Sequence, residues 1–213
     1  MKIVAISDLH GHLPQLPEAD VICIVGDIIP TKYNKDIDLQ WKWYTETYLP
    51  WVATLPARKV ITVGGNHDKF YDMYEAEQTE RHIFLNNNEV EIDGYSFYGT
   101  PNISRLNEDL SFKPYDEELD QLFRHIPERL DFLLCHHAPY GANGCGFDIP
   151  FGFDIGCREL AKVICNKDIG YIFCGHIHTG NHSMGEWRGK MIANVSYSNE
   201  DKIPAYEPLI IEL

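Results

Sequence analysis

The sequence predicts an α/β fold in which layered, mixed β-sheets are flanked by helices. Near-continuous apolar runs of strand length, such as Val21–Val25, are typical of strands that are buried on both faces. These runs alternate with segments whose apolar residues recur at helical spacing, which indicates helices that cover the sheets. The chain has 213 residues, of which 44% are hydrophobic, so it can bury one sizeable core. Because no linker interrupts it, we expect a single domain over residues 1–213.

The strands are predicted where apolar runs are bounded by turn residues. Five near-continuous runs are Lys2–Ser7, Val21–Val25, Lys59–Val63, Asp131–Cys135 and Tyr171–Cys174. The segment Glu89–Tyr98 alternates between apolar and polar residues and predicts two short strands about an Asp93-Gly94 turn. Two later runs, Lys190–Tyr197 and Pro208–Leu213, predict strands near the C-terminus. Because alternating runs accompany continuous ones, we expect mixed rather than purely parallel sheets.

Helices are predicted where apolar residues recur three, four and seven positions apart. The three stripes are Trp41, Tyr44 and Tyr48; Leu119, Leu122, Phe123 and Ile126; and Leu160, Val163 and Ile164. Pro50 follows the first stripe and Pro127 follows the second, and each is expected to interrupt its helix. Stripes of this kind usually face a core, so we expect these helices to pack on the sheets.

Composition and charge exclude several classes of protein. The 18 basic and 32 acidic residues give a net charge of −14, so extended nucleic acid is not an expected partner. No segment approaches the ~20 consecutive apolar residues of a membrane-spanning helix. None of the six cysteines forms a C-x-x-C pair, which favours buried thiols in a reducing compartment. Since Met1-Lys2 leads directly into an apolar strand, no signal peptide is expected and we predict a cytoplasmic protein. The oligomeric state is left open.

Five of the predicted strands end in residues that can bind metals. The five segments are Asp8-Leu9-His10-Gly11-His12, Gly26-Asp27, Gly64-Gly65-Asn66-His67-Asp68, His136-His137-Ala138-Pro139 and Gly175-His176-Ile177-His178. They contain seven of the ten histidines of the chain. In an open α/β sheet the carboxyl ends of the strands lie along one edge, where ligands bind. We therefore expect these side chains to form one site.

The chemistry of these side chains points to transition metals. Carboxylates and an asparagine carbonyl are hard oxygen donors, and imidazoles are borderline nitrogen donors, a mixture that suits Mn, Fe, Zn, Co or Ni better than Ca. The ligands are too many for one tetrahedral ion but suit two divalent ions that share a carboxylate, with Mn favoured. Two metals about 3.5–4 Å apart can hold a bridging hydroxide and clamp a phosphoryl group for in-line attack. The sequence therefore predicts metal-assisted hydrolysis of a phosphate ester.

The order of the motifs resembles a known family. D-x-H, G-D, G-N-H-D, H-x-P and G-H-x-H, from Asp8 to His178, are similar to those of the calcineurin-like metallophosphoesterases. The resemblance implies the metallophosphoesterase sandwich fold and the hydrolysis of phosphoric esters. Several connecting segments are closer to the branch that contains the mammalian metallophosphoesterase-domain proteins. These segments are Trp51–Asp68, Gly99-Thr100-Pro101, His137–Gly141 and Gly156-Cys157-Arg158-Glu159-Leu160.

The resemblance also implies a role for each motif residue. It assigns Asp8, His10, Asp27 and His178 to a first metal, and Asp27, Asn66, His137 and His176 to a second, with Asp27 as the bridge. His67 would face the substrate, and Asp68 would orient His67. Because side chains alternate along an extended segment, only one of His136 and His137 should reach the metals. His137 fits the H-x-P pattern and is the choice made from sequence.

Two functional hypotheses follow. The leading one is a two-metal phosphodiesterase or phosphatase, and the alternative is a catalytically silent metal-binding scaffold on the same fold. Such a scaffold usually lacks a ligand or the substrate-facing histidine, whereas this chain retains both, which favours the enzyme. A serine hydrolase is not expected because no G-x-S-x-G motif is present. Cys135 beside the histidines is expected to be a buried strand thiol rather than a nucleophile.

The expected substrate is a small phosphate ester, and the finer resemblance favours phosphodiesters over phosphomonoesters. Aromatic residues could line the cleft and stack on a base, which suggests a nucleotide or cyclic nucleotide. They are Trp41, Trp43 and Tyr44 on a predicted helix, and Tyr140, Phe147 and Phe151 around the Gly141–Phe153 loop. The alternative is that the same side chains pack in the core.

Overall fold

The computed structural model describes residues 1–76, 78–104 and 116–213. Its first sheet has five strands in the order β13-β1-β2-β3-β4. They are β1 (Lys2–Ile6), β2 (Ala19–Val25), β3 (Ala57–Val63), β4 (His82–Leu85) and β13 (Leu209–Glu212). Strands β1 to β4 are parallel, and β13 pairs with β1 in the antiparallel direction. The carboxyl ends of four strands therefore lie at one edge of this sheet.

The second sheet has six strands in the order β11-β12-β10-β7-β6-β5. They are β5 (Asn88–Ile92), β6 (Tyr95–Thr100), β7 (Arg129–His137), β10 (Asp168–Gly175), β11 (Gly185–Trp187) and β12 (Lys190–Asn194). The four central strands are parallel, and β5 and β11 complete the sheet as antiparallel edges. A separate two-stranded hairpin is formed by β8 (Phe147–Asp148) and β9 (Phe153–Asp154). The prediction of mixed sheets is confirmed.

In the described parts of the chain, four α-helices flank the two sheets. They are α1 (Ile37–Trp43), α2 (Leu49–Thr54), α3 (Asp116–Arg124) and α4 (Arg158–Ile164), with a π-helical turn over Tyr44–Tyr48 and 3₁₀ turns over Thr31–Tyr33 and Lys69–Asp72. The Asp36 carboxylate caps α1 by accepting the backbone N–H of Leu39 at 2.9 Å. Pro50 lies in the first turn of α2 instead of ending the helix, since that turn needs no N–H donor. None of the described helices has the length and apolarity required to cross a membrane.

The described residues form three apolar cores that hold the layers together. Residues of α1, the π-helical turn and α2 cover the outer face of the first sheet, and residues of α3 and α4 cover the outer face of the second. The third core lies between the two sheets and contains Phe97, Phe132 and Phe173 opposite Val21, Cys23 and Ile61. The molecule is thus built as helices, sheet, sheet and helices, as predicted. Tyr44 is buried in the helix-covered core, and the partly buried Trp41 and Trp43 pack against it, which favours the alternative that these aromatics are core residues.

Phe132 lies in the core between the two sheets. The Phe132 ring is fully buried and stacks on Phe97 with 4.6 Å between ring centroids and on Tyr171 with 5.2 Å. Phe132→Ala should therefore lower the free energy of unfolding by about 3–5 kcal/mol, because it removes a large buried ring and leaves a cavity. Urea unfolding followed by circular dichroism measures this loss. Phe151→Ala is the matched control, since Phe151 is 65% exposed and its removal should change the stability by less than about 0.5 kcal/mol. Equal losses in the two variants would contradict this account of the core.

Candidate metal centre

The carboxyl ends of parallel strands from both sheets meet at one edge of the molecule. In the first sheet, Asp8 and His10 follow β1, Asp27 follows β2 and Asn66 follows β3. In the second sheet, His136 lies at the end of β7, and His176 and His178 follow β10. Among the residues that the structure describes, two compact groups of potential ligands form there, one of Asp8, His10 and His178 and the other of Asp27, His136 and His176. The structure thus brings residues of all five segments together at this edge.

The first group joins one carboxylate to two imidazoles. The Nε2 atom of His178 lies 3.2 Å from Oδ1 of Asp8 and 3.3 Å from Nε2 of His10. His178 is oriented from behind, because its Nδ1–H donates to the backbone carbonyl of Asn199 at 2.6 Å. All three side chains are buried. The lone pairs of three acceptor atoms are thus turned toward one point, which favours a cation there.

The second group adds an amide to the same pattern. The Nε2 atom of His136 lies 3.1 Å from Oδ1 of Asn66 and 3.5 Å from Oδ1 of Asp27. The Nδ1–H of His136 donates to the carbonyl of Val25 at 2.8 Å, which leaves the Nε2 lone pair directed at the site. The imidazole of His176 completes the group. This donor set of hard oxygens and imidazole nitrogens fits a divalent transition metal.

Asp27 lies between the two groups. Its Oδ1 faces His136 at 3.5 Å, and its Oδ2 lies 3.9 Å from Nε2 of His10 in the other group. Its side chain is 2% exposed, so water does little to stabilise the charge. A buried carboxylate with one oxygen on each side is the arrangement needed to join two cations.

The electrostatics of the centre hold its carboxylates ionised and favour positive charge beside them. Burial alone would raise the pKa values of Asp8 and Asp27, but the neighbouring histidines hold both pKa values below the usual range. Burial lowers the pKa of His10 to about 3, so this imidazole is neutral. Burial opposes charge on His136 as well, yet the Asp27 carboxylate raises its pKa to about 9. The field of the carboxylates therefore favours positive charge at the Nε2 of His136.

Several site residues have an unusual backbone conformation. Left-handed φ values occur at Asp8 (54°), His10 (44°), Asp27 (54°) and His176 (68°). Non-glycine residues adopt this region only at a cost of order 1–3 kcal/mol, and such strain is concentrated at functional sites. Gly26, with φ of 94°, lies so close to the ring of His136 that a Cβ atom would overlap it. The approach of β2 to β7 therefore requires glycine at this position.

The structure corrects the choice between the two adjacent histidines. His136, not His137, reaches the centre, because it shares a face of β7 with Phe132 and Leu134, which point at the first sheet. His137 points to the other face. Its Nδ1 accepts the backbone N–H of Ser104 at 3.1 Å, and its Nε2 donates to the carbonyl of Ile155 at 3.1 Å. Both nitrogens of His137 are thus committed to the protein.

His67 lies at the rim of the centre, but Asp68 does not orient it. The Nε2 atom of His67 is 3.9 Å from Oδ2 of Asp27, and its side chain is 19% exposed. Among the described residues, the buried Nδ1 of His67 has no hydrogen-bond partner. The two carboxylate oxygens of Asp68 instead accept the backbone N–H groups of Ile29 at 3.0 Å and Gly65 at 2.8 Å. Asp68 therefore joins the loops after β2 and β3, and the expected contact with His67 is wrong.

Sequence reasoning missed three residues that follow β12. Ser196 donates its hydroxyl to Oδ2 of Asp8 at 2.7 Å, and the carbonyl of Asn199 holds His178. The Nζ of Lys202 lies 3.2 Å from Nε2 of His178. The predicted strand over residues 190–197 was the available signal. Because β12 is parallel to β10, the residues after β12 lie at the same edge as those after β10. No D, N or H motif marks this strand end as strongly as the other five.

The β8–β9 hairpin stands beside the centre. The backbone N–H of Ile149 donates to Oγ1 of Thr179 at 2.9 Å, and Thr179 directly follows His178. Phe147 and Phe151 on this hairpin are exposed. Tyr140 instead stacks against the guanidinium of Arg158, 3.8 Å from the ring centroid. Of the aromatics proposed to line a cleft, the two phenylalanines are thus the ones that are open to a ligand.

Comparison with known proteins gives a consistent result. A family model described as calcineurin-like phosphoesterase matches residues 1–180. An uncharacterised protein of Methanocaldococcus jannaschii is 28% identical over 188 residues, which cover 84% of this chain and 80% of that protein. Human metallophosphoesterase domain-containing protein 1 is 24% identical over 243 residues, covering 100% of this chain and 71% of the human protein. The resemblance predicted from the five motifs is confirmed.

Solved structures show the same fold. The phosphopantetheinyl hydrolase of Mycobacterium tuberculosis superposes with a TM-score of 0.60 at 16% identity, covering 94% of this chain and 90% of that one. A dimetal phosphatase of Danio rerio superposes with a TM-score of 0.51 at 11% identity, covering 91% and 86%. At these identities the likeness concerns the fold, and it supports the predicted sandwich of two sheets.

The two adjacent histidines provide a matched test of the centre. His136→Ala should weaken binding of one divalent ion by at least about 10-fold, because it removes a first ligand and leaves Asn66 and Asp27 without their partner. His137→Ala should retain the metal content of the wild type. Elemental analysis of protein equilibrated with Mn²⁺ and desalted measures both. If His137→Ala loses the metal and His136→Ala keeps it, the assignment made here is reversed.

Proposed function

Because the chain belongs to the calcineurin-like phosphoesterase family, we propose that it hydrolyses small phosphate esters at this centre with two divalent metal ions. The observation that carries the proposal is the position of Asp27, which faces a group of acceptor atoms with each of its oxygens. Convergent, buried acceptor atoms of this kind repel one another unless positive charge lies between them. The family model covers all the strand ends that form the two groups.

The proposed ligands divide between the two ions. Asp8, His10, Asp27 and His178 would hold the first, and Asp27, Asn66, His136 and His176 would hold the second. When bound, the ions would activate a water molecule as the nucleophile and polarise the phosphoryl group. Mn is proposed as the favoured metal, with Fe, Zn, Co and Ni as the other candidates, because each ion would share oxygen donors and two imidazole nitrogens.

His67 is proposed to act on the substrate rather than on the ions. Its ring is partly exposed and lies 5.2 Å from the ring of His10, so it borders the place where a phosphoryl group would sit. Burial lowers the pKa of His67 despite the neighbouring Asp27 carboxylate, which keeps the imidazole neutral. A neutral imidazole can donate one hydrogen bond to a phosphoryl oxygen or pass a proton to the leaving group. Asp68 is proposed to support this role indirectly, by holding the loop that carries His67.

The finer proposals concern substrate and location. A phosphodiester preference remains the proposal drawn from the resemblance of the connecting segments, and a nucleotide or cyclic nucleotide remains the proposed type of substrate. Exposed Phe147 and Phe151 beside the centre could stack on a base.

The six cysteines are all free, which supports a reducing, cytoplasmic location. We also propose that residues 1–213 act as a single domain, since both sheets contribute to one core and one site.

Removal and return of metal tests the proposed activity. Protein stripped with a chelator should lose hydrolysis of mono- and bis-(p-nitrophenyl) phosphate, and added Mn²⁺ should restore it, because the protein supplies ligands rather than a nucleophile of its own. Release of p-nitrophenol measures both rates, and their ratio reports the preference for diester or monoester. If Mn²⁺, Fe²⁺, Co²⁺, Ni²⁺ and Zn²⁺ all fail to restore turnover, the metal-binding scaffold becomes the better account.

His67 separates metal binding from catalysis. His67→Ala should keep the metal content of the wild type and lower kcat by about 10²–10⁴-fold, as expected for loss of a proton donor. His125→Ala is the matched control, because His125 is an exposed histidine after α3 and should leave kcat unchanged. Turnover is measured with bis-(p-nitrophenyl) phosphate and metal content by elemental analysis. An unchanged kcat in His67→Ala would exclude the proposed role.

A further inference from the structure

The turn after β12 carries a lysine into the metal centre. This turn spans residues 198–204 and is closed by an antiparallel bridge between Ser198 and Pro204. Inside it, Oδ1 of Asn199 accepts the backbone N–H groups of Asp201 and Ile203, each at 3.1 Å. The N–H of Lys202 donates to the carbonyl of Asn199 at 2.9 Å, and Lys202 has a left-handed φ of 61°. Local hydrogen bonds thus hold Lys202 in a conformation that its backbone would not otherwise favour.

The turn is fastened to the centre at two points. The Nε2–H of His12 donates to the carbonyl of Lys202 at 3.0 Å, and the Nδ1–H of His178 donates to the carbonyl of Asn199 at 2.6 Å. His12 belongs to the loop after β1, and His178 is a proposed metal ligand. The backbone of the turn is therefore held beside the first group, in part by one of the members of that group.

The ammonium group of Lys202 meets an atom that a metal would also use. Its Nζ lies 3.2 Å from Nε2 of His178. Lysine can only donate, so the Nε2 lone pair accepts. A divalent ion held by Asp8, His10 and His178 would take the same lone pair. The ammonium group would then have to turn to another acceptor nearby, and the anion brought to this centre by the proposed function is the phosphoryl group of the substrate.

We propose that Lys202 binds a non-bridging phosphate oxygen of the substrate and thereby strengthens binding of phosphate groups with a higher negative charge. The inference rests on the proposed function. Two divalent ions bring more positive charge than the carboxylates of Asp8 and Asp27 neutralise, and Lys202 adds one more cation at the rim. A phosphomonoester dianion gains more from that cation than a phosphodiester monoanion does. Lys202 therefore acts against the proposed phosphodiester preference and sets how well the site accepts a phosphomonoester.

Binding of inorganic phosphate tests this role without turnover. Calorimetric titration of Mn²⁺-loaded protein should show a Kd for phosphate about 10- to 100-fold higher in Lys202→Met than in the wild type, the range expected for loss of a charge-assisted hydrogen bond. Lys202→Arg should recover much of the affinity, because it keeps the charge. Lys162→Met is the matched control, since Lys162 is exposed on α4 and pairs with Asp120, and its phosphate Kd should not change.

Steady-state kinetics provide the second readout. In Lys202→Met, KM for p-nitrophenyl phosphate should rise at least about 3-fold more than KM for bis-(p-nitrophenyl) phosphate, while kcat changes less than KM for either. An unchanged phosphate Kd, or equal changes in the two KM values, overturns the proposal. Loss of bound Mn²⁺ from Lys202→Met also overturns it, because Lys202 would then support the metal ligands instead. If no variant and no wild-type protein hydrolyses either ester, the proposed function fails, whereas the phosphate titration still decides the role of Lys202.

Discussion

The carboxylate of Asp27 lies where two groups of buried acceptor atoms meet, and much of the surrounding structure keeps it there. Its Oδ1 accepts the backbone N–H of His67 at 2.8 Å, which ties the loop after β3 to the loop after β2. A side chain at position 65 would collide with Asp27, so Gly65 is required beside it. Asp68 bonds the same two loops together from the opposite end. The close packing of these two loops and the left-handed backbone of Asp27 therefore both serve to hold the Asp27 carboxylate in place.

This constraint explains why two sheets are needed. One sheet could present Asp8, Asp27 and Asn66 from neighbouring strand ends, but it would leave their charges open to water. The second sheet packs against it through Phe132 and Phe173 and brings β7 and β10 to the same edge. Imidazoles thereby face carboxylates across the inter-sheet core, in surroundings that exclude water. Each kind of ligand is supplied mainly by one sheet, and the site exists only when the two are packed together.

The fold and the convergence of the site could be predicted from sequence because both depend on local patterns. Continuous apolar runs marked the central strands, and the residues directly after them marked the site. Short elements such as β4 and the β8–β9 hairpin were not predicted, since strands of two to four residues show too little periodicity in the sequence. The choice of His137 over His136 followed the H-x-P spacing, whereas the face of β7 decided the outcome. Side chains alternate along a strand, so His136 shares a face with the apolar Phe132 and Leu134. That alternation identifies His136 as the inward-facing histidine once the ligands are placed between the sheets.

The roles of Asp68 and Lys202 were beyond local patterns for a different reason. Asp68 bonds to backbone N–H groups of two loops, and no side-chain pattern records where those groups will point. Lys202 reaches His178 through a turn whose shape depends on Asn199 and His12 together. The ligands lie at or directly after strand ends, but the side chains around them lie on loops, where position depends on tertiary contacts. Regular strand ends therefore bring the candidate ligands together, while tertiary contacts place the 198–204 turn and the β8–β9 hairpin beside them.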